Sequence, residues 1–272
     1  MAPALAPAAT VLVVGALLAA ACGGAGGAPH PATTTTAAPA TAPGSPAGGR
    51  FRVLVFSKTA GFRHASIPAG IAAIRELGRA NGFGVDATED AGRTSDAGLA
   101  PYRVVVFLST TGDFLDGAEQ TALRRWVEGG GGWGGIHAAA DAEYDWPWYG
   151  TLVGAFFARH PKLQRATVHV ADHNHPATAA LPDTWTRTDE WYDFKTNPRG
   201  SVQVLATVDE STYQGGTMGA DHPIIWCHPV GTGRSFYTAL GHSTGSFAEP
   251  LYRAQLLGAI RWAAKVAAGD CG

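Results

Sequence analysis

The sequence contains little charge. Of its 272 residues only 15% are Asp, Glu, Lys or Arg, and 20 basic residues against 22 acidic ones give a formal net charge of -2. With so little positive charge, the protein lacks a broad electrostatic attraction to nucleic acid or anionic lipid. A nucleic-acid partner is therefore not expected.

The first 49 residues contain no Lys, Arg, Asp or Glu at all. Residues 11–21 form an apolar run that is too short to cross a bilayer as a mature helix but suits the apolar part of a signal peptide. The run ends in Ala19-Ala20-Ala21-Cys22, which resembles the bacterial lipoprotein box. We expect a signal peptide over residues 1–21 and lipidation of Cys22. The protein would then be exported, either held on the outer face of the cytoplasmic membrane by its lipid alone or secreted.

Large apolar side chains are missing from the segment that follows. Between residues 23 and 49 every residue except His30 is Gly, Ala, Pro, Thr or Ser. Such a segment cannot bury enough apolar surface to offset the entropy of ordering. The sequence predicts a disordered tether over residues 22–49, a folded domain over residues 50–268 and a short tail over residues 269–272.

Cysteine is also scarce. Only Cys227 and Cys271 accompany Cys22, which excludes a disulfide-dense scaffold. Cys227 lies in an apolar strand pattern and Cys271 lies at the chain terminus. Two free thiols are therefore favoured over a disulfide, although a pair stays open.

Strand and helix patterns alternate from residue 50 onward. Helices are predicted from Ser66 as N-cap to about Asn81, from a capping box of Asp116 and Glu119, and over residues 249–268. Strands are predicted at residues 51–56, 83–88, 103–108, 133–137, 167–170, 202–208, 224–228 and 234–240. This alternation predicts an α/β fold with a mostly parallel sheet flanked by helices on both faces.

Histidines mark the predicted strand ends. Ligands of parallel sheets bind at the carboxyl ends of the strands, where four of the ten histidines are expected. These are His64, His137, His222 and His242. Imidazoles serve as acids, bases and metal ligands, so all four are candidate ligands for a divalent metal such as zinc. No Cys-x-x-Cys or His-Glu-x-x-His spacing supports a metal site. The prediction of a metal therefore depends on whether these four histidines converge in the fold. Surface or turn positions are expected for His160, His169, His173 and His175.

His137 occupies the most informative local pattern. It follows Gly134-Gly135-Ile136 and precedes Ala138-Ala139-Ala140. Small residues on both sides permit the tight strand-to-helix turn that displays a catalytic side chain in nucleophile elbows. Acyl-enzyme chemistry is not supported, because the apex holds neither Ser nor Cys. A glycine-packed strand without chemistry is the alternative.

Two segments combine carboxylates with aromatic rings. Residues 141–150 contain three carboxylates and four aromatic side chains, which suits a sugar, since rings cover its C–H faces and carboxylates accept its hydroxyl hydrogens. Asp141, Glu143 and Trp148 are candidate sugar contacts, although the segment could also be a lid packed on the core. In the second segment, Glu190 precedes Trp191, a further candidate contact. Burial beside aromatic rings would raise the pKa of Glu190 and fit it for proton transfer, whereas a surface acid is the plain alternative.

Six motifs together resemble the ThuA-like (trehalose-utilisation) family. They are Thr59-Ala60-Gly61-Phe62-Arg63-His64, Gly135-Ile136-His137-Ala138-Ala139-Ala140-Asp141, Glu143-Tyr144-Asp145-Trp146, Asp189-Glu190-Trp191-Tyr192, Asp221-His222-Pro223-Ile224-Ile225-Trp226 and Tyr237-Thr238-Ala239-Leu240-Gly241-His242. The resemblance implies a class I glutamine amidotransferase-like fold, which is a flavodoxin-like three-layer sandwich. The nucleophilic Cys of the amidotransferases would fall near His137, so glutaminase activity is not expected, although His242 lies where a late catalytic His could sit. The resemblance also implies sugar catabolism, in particular of 3-keto-glycosides made by a partner sugar oxidoreductase.

Three functions remain open at this point. The first is an enzyme that removes a proton next to the ketone of an oxidised sugar, with His64, His137, Glu190 and His242 as catalytic groups and no nucleotide cofactor. A lyase, a hydrolase and an isomerase would all start from the same enediolate. The second is a tethered carbohydrate-binding module without turnover. The third is a metal-dependent hydrolase of an ordinary glycoside, which needs two facing carboxylates. Convergence of the four histidines with Glu190 would favour an enzyme, and an open aromatic platform would favour the module.

Overall fold

The computed structural model describes residues 50–271. The predicted signal peptide, the tether and Cys22 lie outside these residues. Within them, the α-helices are α1 (Ile67–Asn81), α2 (Asp96–Leu99), α3 (Gly117–Glu128), α4 (Pro147–Val153) and α5 (Pro250–Ala263). None of these helices is long and apolar enough to span a membrane.

Thirteen strands lie in the described part of the chain. They are β1 (Arg52–Phe56), β2 (Gly84–Thr88), β3 (Val104–Leu108), β4 (Thr111–Gly112), β5 (Gly132–Ile136), β6 (Asp141–Ala142), β7 (Phe157–Arg159), β8 (Gln164–Val170), β9 (Thr184–Asp189), β10 (Asp193–Phe194), β11 (Gln203–Val208), β12 (Pro223–Val230) and β13 (Gly233–Thr238). Nine of them form one sheet in the order β2-β1-β3-β5-β13-β12-β11-β8-β9, and the other four form two small two-stranded pairs.

The large sheet is mixed. Strands β2, β1, β3, β5 and β13 are parallel, whereas β13, β12, β11, β8 and β9 pair antiparallel. The direction reverses at the β12–β13 hairpin, where Val230 pairs with Gly233 and Gly231 adopts a positive φ of 61°. The predicted α/β sheet is therefore confirmed, but only its first half is parallel, because the described connections between β8 and β13 contain no α-helix to form a parallel crossover.

Helices cover both faces of the parallel half. Val106 of β3 lies beside Leu256 and Ile260 of α5. The next residue, Phe107, faces the other way and contacts Tyr149 of α4, with ring centroids 6.1 Å apart. Successive strand residues point to opposite faces, so these contacts place α5 and α4 on opposite sides of the sheet. The finer prediction, a flavodoxin-like three-layer sandwich, stays a prediction.

The end of the chain differs from the expectation. Helix α5 ends at Ala263, not near residue 268, and the chain turns back so that Trp262 Nε1 donates to the carbonyl of Gly269 at 3.1 Å. Cys271 is thereby buried and forms a disulfide with Cys227, with the Cα atoms 5.7 Å apart. The prediction of two free thiols is wrong, because the terminus packs on the domain instead of fraying.

Two helix starts show how the sequence sets the fold. Asp116 and Glu119 form the predicted capping box at the start of α3. Ser66 occupies the predicted N-cap position of α1 but makes no capping bond. Its hydroxyl instead donates to the carbonyl of Gly241 at 3.1 Å. This bond joins the start of α1 to the loop that carries His242.

Candidate active site

His137 follows β5 at the carboxyl edge of the parallel strands. Its φ is +52°, an unfavourable backbone conformation for a non-glycine residue, which costs on the order of 1–3 kcal/mol. Tyr237 of the neighbouring strand stabilises the turn by donating its hydroxyl to the His137 carbonyl at 2.7 Å. The predicted display turn is therefore present, with an imidazole at its apex.

The orientation of this imidazole is set by its neighbours. Nδ1 of His137 lies 2.7 Å from the carbonyl oxygen of Ala239. A carbonyl only accepts hydrogen bonds, so Nδ1 carries the proton and Nε2 of the neutral ring keeps its lone pair. The ring also packs against Tyr192, with centroids 4.4 Å apart. His137 is fully buried, so both its tautomer and its position are fixed.

His242 and Glu190 meet His137 at this nitrogen. Nδ1 of His242 lies 3.3 Å from Nε2 of His137 and 3.2 Å from Oε2 of Glu190. The same Oε2 lies 3.4 Å from Nε2 of His137. Three chemically active atoms thus form a small triangle, contributed by the loops after β5, β9 and β13.

His64 closes the cluster from the loop after β1. Its ring centroid lies 4.7 Å from that of His137 and 5.4 Å from that of His242. The residue is 5% exposed, and its Nδ1 is buried without a hydrogen-bond partner among residues 50–271. Burial, together with the charges that His137 and His242 would carry, lowers the pKa of His64 to about 3. We call His64, His137, Glu190 and His242 the His/Glu cluster.

The charges within the cluster favour an ionised carboxylate. Burial raises the pKa of Glu190, but the adjacent imidazoles of His137 and His242 outweigh burial and leave this pKa well below its usual range. The hydrogen bond to Glu190 in turn raises the pKa of His242, against burial. The raised pKa expected for Glu190 is therefore wrong, because the aromatic context of the sequence did not reveal the two imidazoles.

His160 contacts the cluster, which the sequence did not indicate. Its Nδ1 lies 3.1 Å from Oε1 of Glu190, on the other carboxylate oxygen, and its side chain is 40% exposed. It was expected to be a plain surface or turn residue, since no local pattern distinguishes it from exposed His169 and His173, which lie near Asp209 and Asp183. Its contact with Glu190 links positions 30 residues apart.

His222 lies outside the cluster. Its Nε2 is 2.8 Å from the carbonyl of Tyr192. Its Nδ1 is 2.9 Å from Glu210 Oε1 and 3.1 Å from the Tyr213 hydroxyl. Both ring nitrogens thus have partners within a separate buried group. The structure brings together three of the four predicted histidines, and the expected convergence is wrong for His222.

Three of the four predicted sugar contacts interact with other parts of the protein. Glu143 is 1% exposed and accepts the backbone N–H groups of Phe114 and Leu115 at 2.8 and 2.9 Å. Trp191 is fully buried. Trp148 donates Nε1 to Glu128 at 2.9 Å, against the last turn of α3. Glu143 and Trp191 are thus buried within the domain, whereas Trp148 is partly exposed and packs against the core.

Asp141 remains a candidate sugar contact. It is only partly buried, and it accepts the hydroxyl of Tyr144 at 2.7 Å. Burial raises the pKa of Asp141, and the positive charges that Lys195, His137 and His160 carry when protonated oppose that rise. The interaction with His137 and His160 places this carboxylate within electrostatic range of the cluster.

Fold and site together define a class: an α/β protein with a buried His/Glu cluster at the carboxyl edge of its parallel strands. A family model described as ThuA, trehalose utilisation, matches residues 52–263. The chain belongs to the ThuA family. This confirms the resemblance that the six motifs indicated.

Solved structures agree with this assignment. A ThuA-like protein from Bacteroides uniformis ATCC 8492 is 27% identical, with 84% of this chain and 95% of that one covered and a TM-score of 0.69. A ThuA-like protein from Parabacteroides merdae ATCC 43184 is 20% identical, with 79% and 90% covered and a TM-score of 0.66. A cytoplasmic protein from Salmonella typhimurium LT2, 14% identical with 78% and 99% covered and a TM-score of 0.56, shares the fold. No curated protein matches the chain.

Proposed function

We propose that the protein is an enzyme of sugar catabolism that acts on an oxidised sugar, such as a 3-keto-glycoside, at the His/Glu cluster. The observation that carries this proposal is the convergence of Nε2 of His137, Nδ1 of His242 and Oε2 of Glu190 within 3.4 Å of one another. Converging acid–base groups of this kind are typical of a site that transfers protons.

The reaction starts at the carbon beside the ketone. A ketone at C3 acidifies the C2 hydrogen, so the C2–H bond breaks and its electron pair moves toward O3 as an enediolate forms. The pair of Glu190 and His160 takes the proton, because Oε1 of Glu190 lies 3.1 Å from Nδ1 of the exposed His160 side chain. The enediolate oxygens would accept hydrogen bonds from those imidazole nitrogens of the cluster that carry a proton.

The enediolate can then follow either of two courses. In a lyase, its electrons form a C1–C2 double bond, the C1–O bond breaks, and the departing alcohol receives a proton from the cluster. In an isomerase or epimerase, the proton returns to carbon instead. Atoms and electrons balance in both cases without a redox cofactor, and a partner sugar oxidoreductase supplies the ketone.

A binding module has less support than an enzyme. Trp191 is fully buried and cannot stack on a sugar. Trp146 and Trp148 are partly exposed, with ring centroids 4.9 Å apart, and this pair alone would have to serve as the platform of such a module. The hydrolase of an ordinary glycoside lacks support as well, because Asp189, the acid next to Glu190, is completely buried and bonded to backbone N–H groups.

Export is part of the proposal. The disulfide between Cys227 and Cys271 supports it, since disulfides persist mainly in oxidising compartments. An apolar run before Cys22 supports a lipid anchor on that residue. Cys22→Ser should release the protein from the membrane fraction into the medium. A variant that stays in the membrane fraction, or a wild type that is already released, contradicts the anchor.

One experiment tests the proposed function. Purified protein is incubated with a panel of glycosides and with their 3-keto derivatives, and products are followed by mass spectrometry. We expect consumption of the 3-keto compounds only, with loss of the aglycone for a lyase and no change of mass for an isomerase. Equal inertness toward both sets contradicts an oxidised-sugar enzyme, and turnover of the ordinary glycosides alone identifies a hydrolase.

A further inference from the structure

We propose that His64, His137, His242 and Glu190 bind one divalent transition-metal ion. One ligand atom from each of these residues lies within 4.8 Å of the others. The site is defined by side chains from four different loops at one sheet edge. The ion itself does not depend on the proposed reaction, whereas its catalytic role does rest on that function.

The spacing of the donor atoms is the first argument. The three distances among His137 Nε2, His242 Nδ1 and Glu190 Oε2 are 3.2, 3.3 and 3.4 Å. Zinc–nitrogen bonds of about 2.0–2.1 Å in a tetrahedron place neighbouring ligand atoms about 3.3 Å apart. The triangle therefore already has the dimensions of one face of a tetrahedral site. A ring nitrogen of His64 lies within 4.8 Å of these three atoms, which makes His64 the candidate fourth ligand.

The position of the ring proton of His137 also indicates a cation. Since Nδ1 of His137 donates to Ala239, Nε2 of the neutral ring presents a lone pair to Oε2 of Glu190 at 3.4 Å. Two acceptors at this distance repel unless a positive charge lies between them. A cation satisfies both atoms at once. The competing arrangement is a protonated His137 paired with Glu190, which the experiment below distinguishes.

The surroundings of the ligands are the third argument. Metal-binding histidines usually donate their second ring N–H to a carbonyl or carboxylate, which fixes the tautomer. The bond from His137 Nδ1 to Ala239, at 2.7 Å, has this form. Buried Nδ1 of His64 has no partner among the described residues, and an unpaired buried polar atom is costly.

The chemistry of the donors indicates which ions fit. Imidazole nitrogen suits zinc, iron, nickel and copper, whereas calcium and magnesium prefer oxygen ligands. Three imidazoles and one carboxylate thus favour a transition metal. By contrast, the group of Asp193, Glu210 and His222 holds its own partners, including Arg159, which lies 2.8 Å from Asp193. This arginine, about half exposed, already neutralises the buried carboxylate of Asp193 and disfavours a second metal there.

A bound ion would give the two carboxylate oxygens of Glu190 different partners. Oε2 faces the histidine ligands and Oε1 faces His160. With Oε2 on the metal, Oε1 and His160 would remain together on the other side of the carboxylate. The ion would supply Lewis-acid stabilisation of the enediolate oxygens.

Metal binding can be measured without any substrate. The full chain, prepared without a polyhistidine tag, is stripped with a chelator and titrated with zinc alone by calorimetry, with bound metal counted by mass spectrometry. We expect one zinc per chain. His137→Asn and Glu190→Gln should each lower zinc affinity at least about 100-fold, because even changes behind the ligands cost 10–100-fold. Exposed His169 offers the matched control, and His169→Gln should bind as the wild type does.

The outcomes separate this proposal from the proposed function. Zinc binding that is absent, or equal in the wild type, His137→Asn and Glu190→Gln, overturns the metal site. One zinc per chain without turnover of any sugar leaves the metal site standing and contradicts the proposed function. Full turnover of a 3-keto-glycoside by the metal-free protein supports the proposed function and contradicts a catalytic role of the ion.

Discussion

Asp189 holds the backbone of His242. Its Oδ1 accepts the N–H of His242 and its Oδ2 accepts the N–H of Gly241, each at 3.1 Å. Oδ1 also lies 3.0 Å from the backbone nitrogen of Glu190. One fully buried carboxylate thus joins two segments that carry members of the His/Glu cluster. Arg187 holds it in turn, with Nη2 at 2.8 Å from Oδ2.

Asp189 should therefore be a positioning residue, and Asp189→Asn tests this. The variant loses an acceptor and the charge opposite Arg187, so His242 and Glu190 should shift relative to each other. We expect zinc affinity to fall about 10–100-fold, measured by calorimetry. Asp193→Asn is the matched control, because Asp193 is also buried beside an arginine. An equal loss of zinc affinity in both variants would mean that Asp189 acts only through general stability.

His160→Gln should separate catalysis from metal binding. The amide can still lie beside Glu190 but cannot accept and release a proton. We expect kcat for a 3-keto-glycoside to fall about 10²–10⁴-fold, with KM and zinc affinity little changed. If kcat matches that of the wild type and of His169→Gln, His160 does not take part in the proton transfer.

The disulfide should contribute substantially to stability. It links residues 44 positions apart, and closing such a loop stabilises a fold by about 2–4 kcal/mol. Cys271→Ser should lower the free energy of unfolding by that amount in denaturant titrations. A reductant should lower it equally in the wild type and leave the variant unchanged. Wild-type stability in the variant would contradict a native disulfide.

His175 should make stability depend on pH. This histidine is completely buried between Phe236 and Trp262, and its Nε2 has no partner among residues 50–271. Burial lowers the pKa of His175 from 6.5 to about 4. Below pH 6.5 the unfolded chain binds a proton at His175, whereas the folded protein binds it only near pH 4. The free energy of unfolding therefore decreases as the pH falls through this window.

The matching experiment compares His175→Gln with the wild type. Melting temperature is followed from pH 7 to pH 4. The wild type should lose on the order of 2–3 kcal/mol through this residue, and the variant should show a flatter decline. His169→Gln serves as the control with an unchanged slope. Parallel curves for the wild type and His175→Gln would refute the role of His175.

The parallel half of the sheet and three cluster residues could be predicted from sequence. Apolar runs specify β1 and β3 within one or two residues of their observed bounds, because strands buried on both faces need continuous apolar side chains. His64, His137 and His242 follow strands whose carboxyl ends share one edge. Their convergence is thus a consequence of topology.

The remaining features depend on contacts far apart in sequence. His222 directly precedes β12 near the same edge. Its two ring nitrogens, however, bind Glu210 and the carbonyl of Tyr192. His160 meets Glu190 across 30 positions, and no local pattern encodes that pair. Trp191 resembles a sugar contact in sequence but is buried, since its Nε1 donates to Gln164 of the adjacent strand region at 2.9 Å. The contacts of these three residues depend on the direction of their side chains, which the residue type does not reveal.

The most direct test of the account is the turnover of a 3-keto-glycoside by Glu190→Gln and His137→Asn, followed by mass spectrometry beside the wild type. Asn tolerates a positive φ better than most residues, so His137→Asn should keep the fold. We predict at least about a 100-fold loss of turnover in each variant, with melting temperatures close to that of the wild type. Near wild-type turnover in both variants would contradict a catalytic His/Glu cluster.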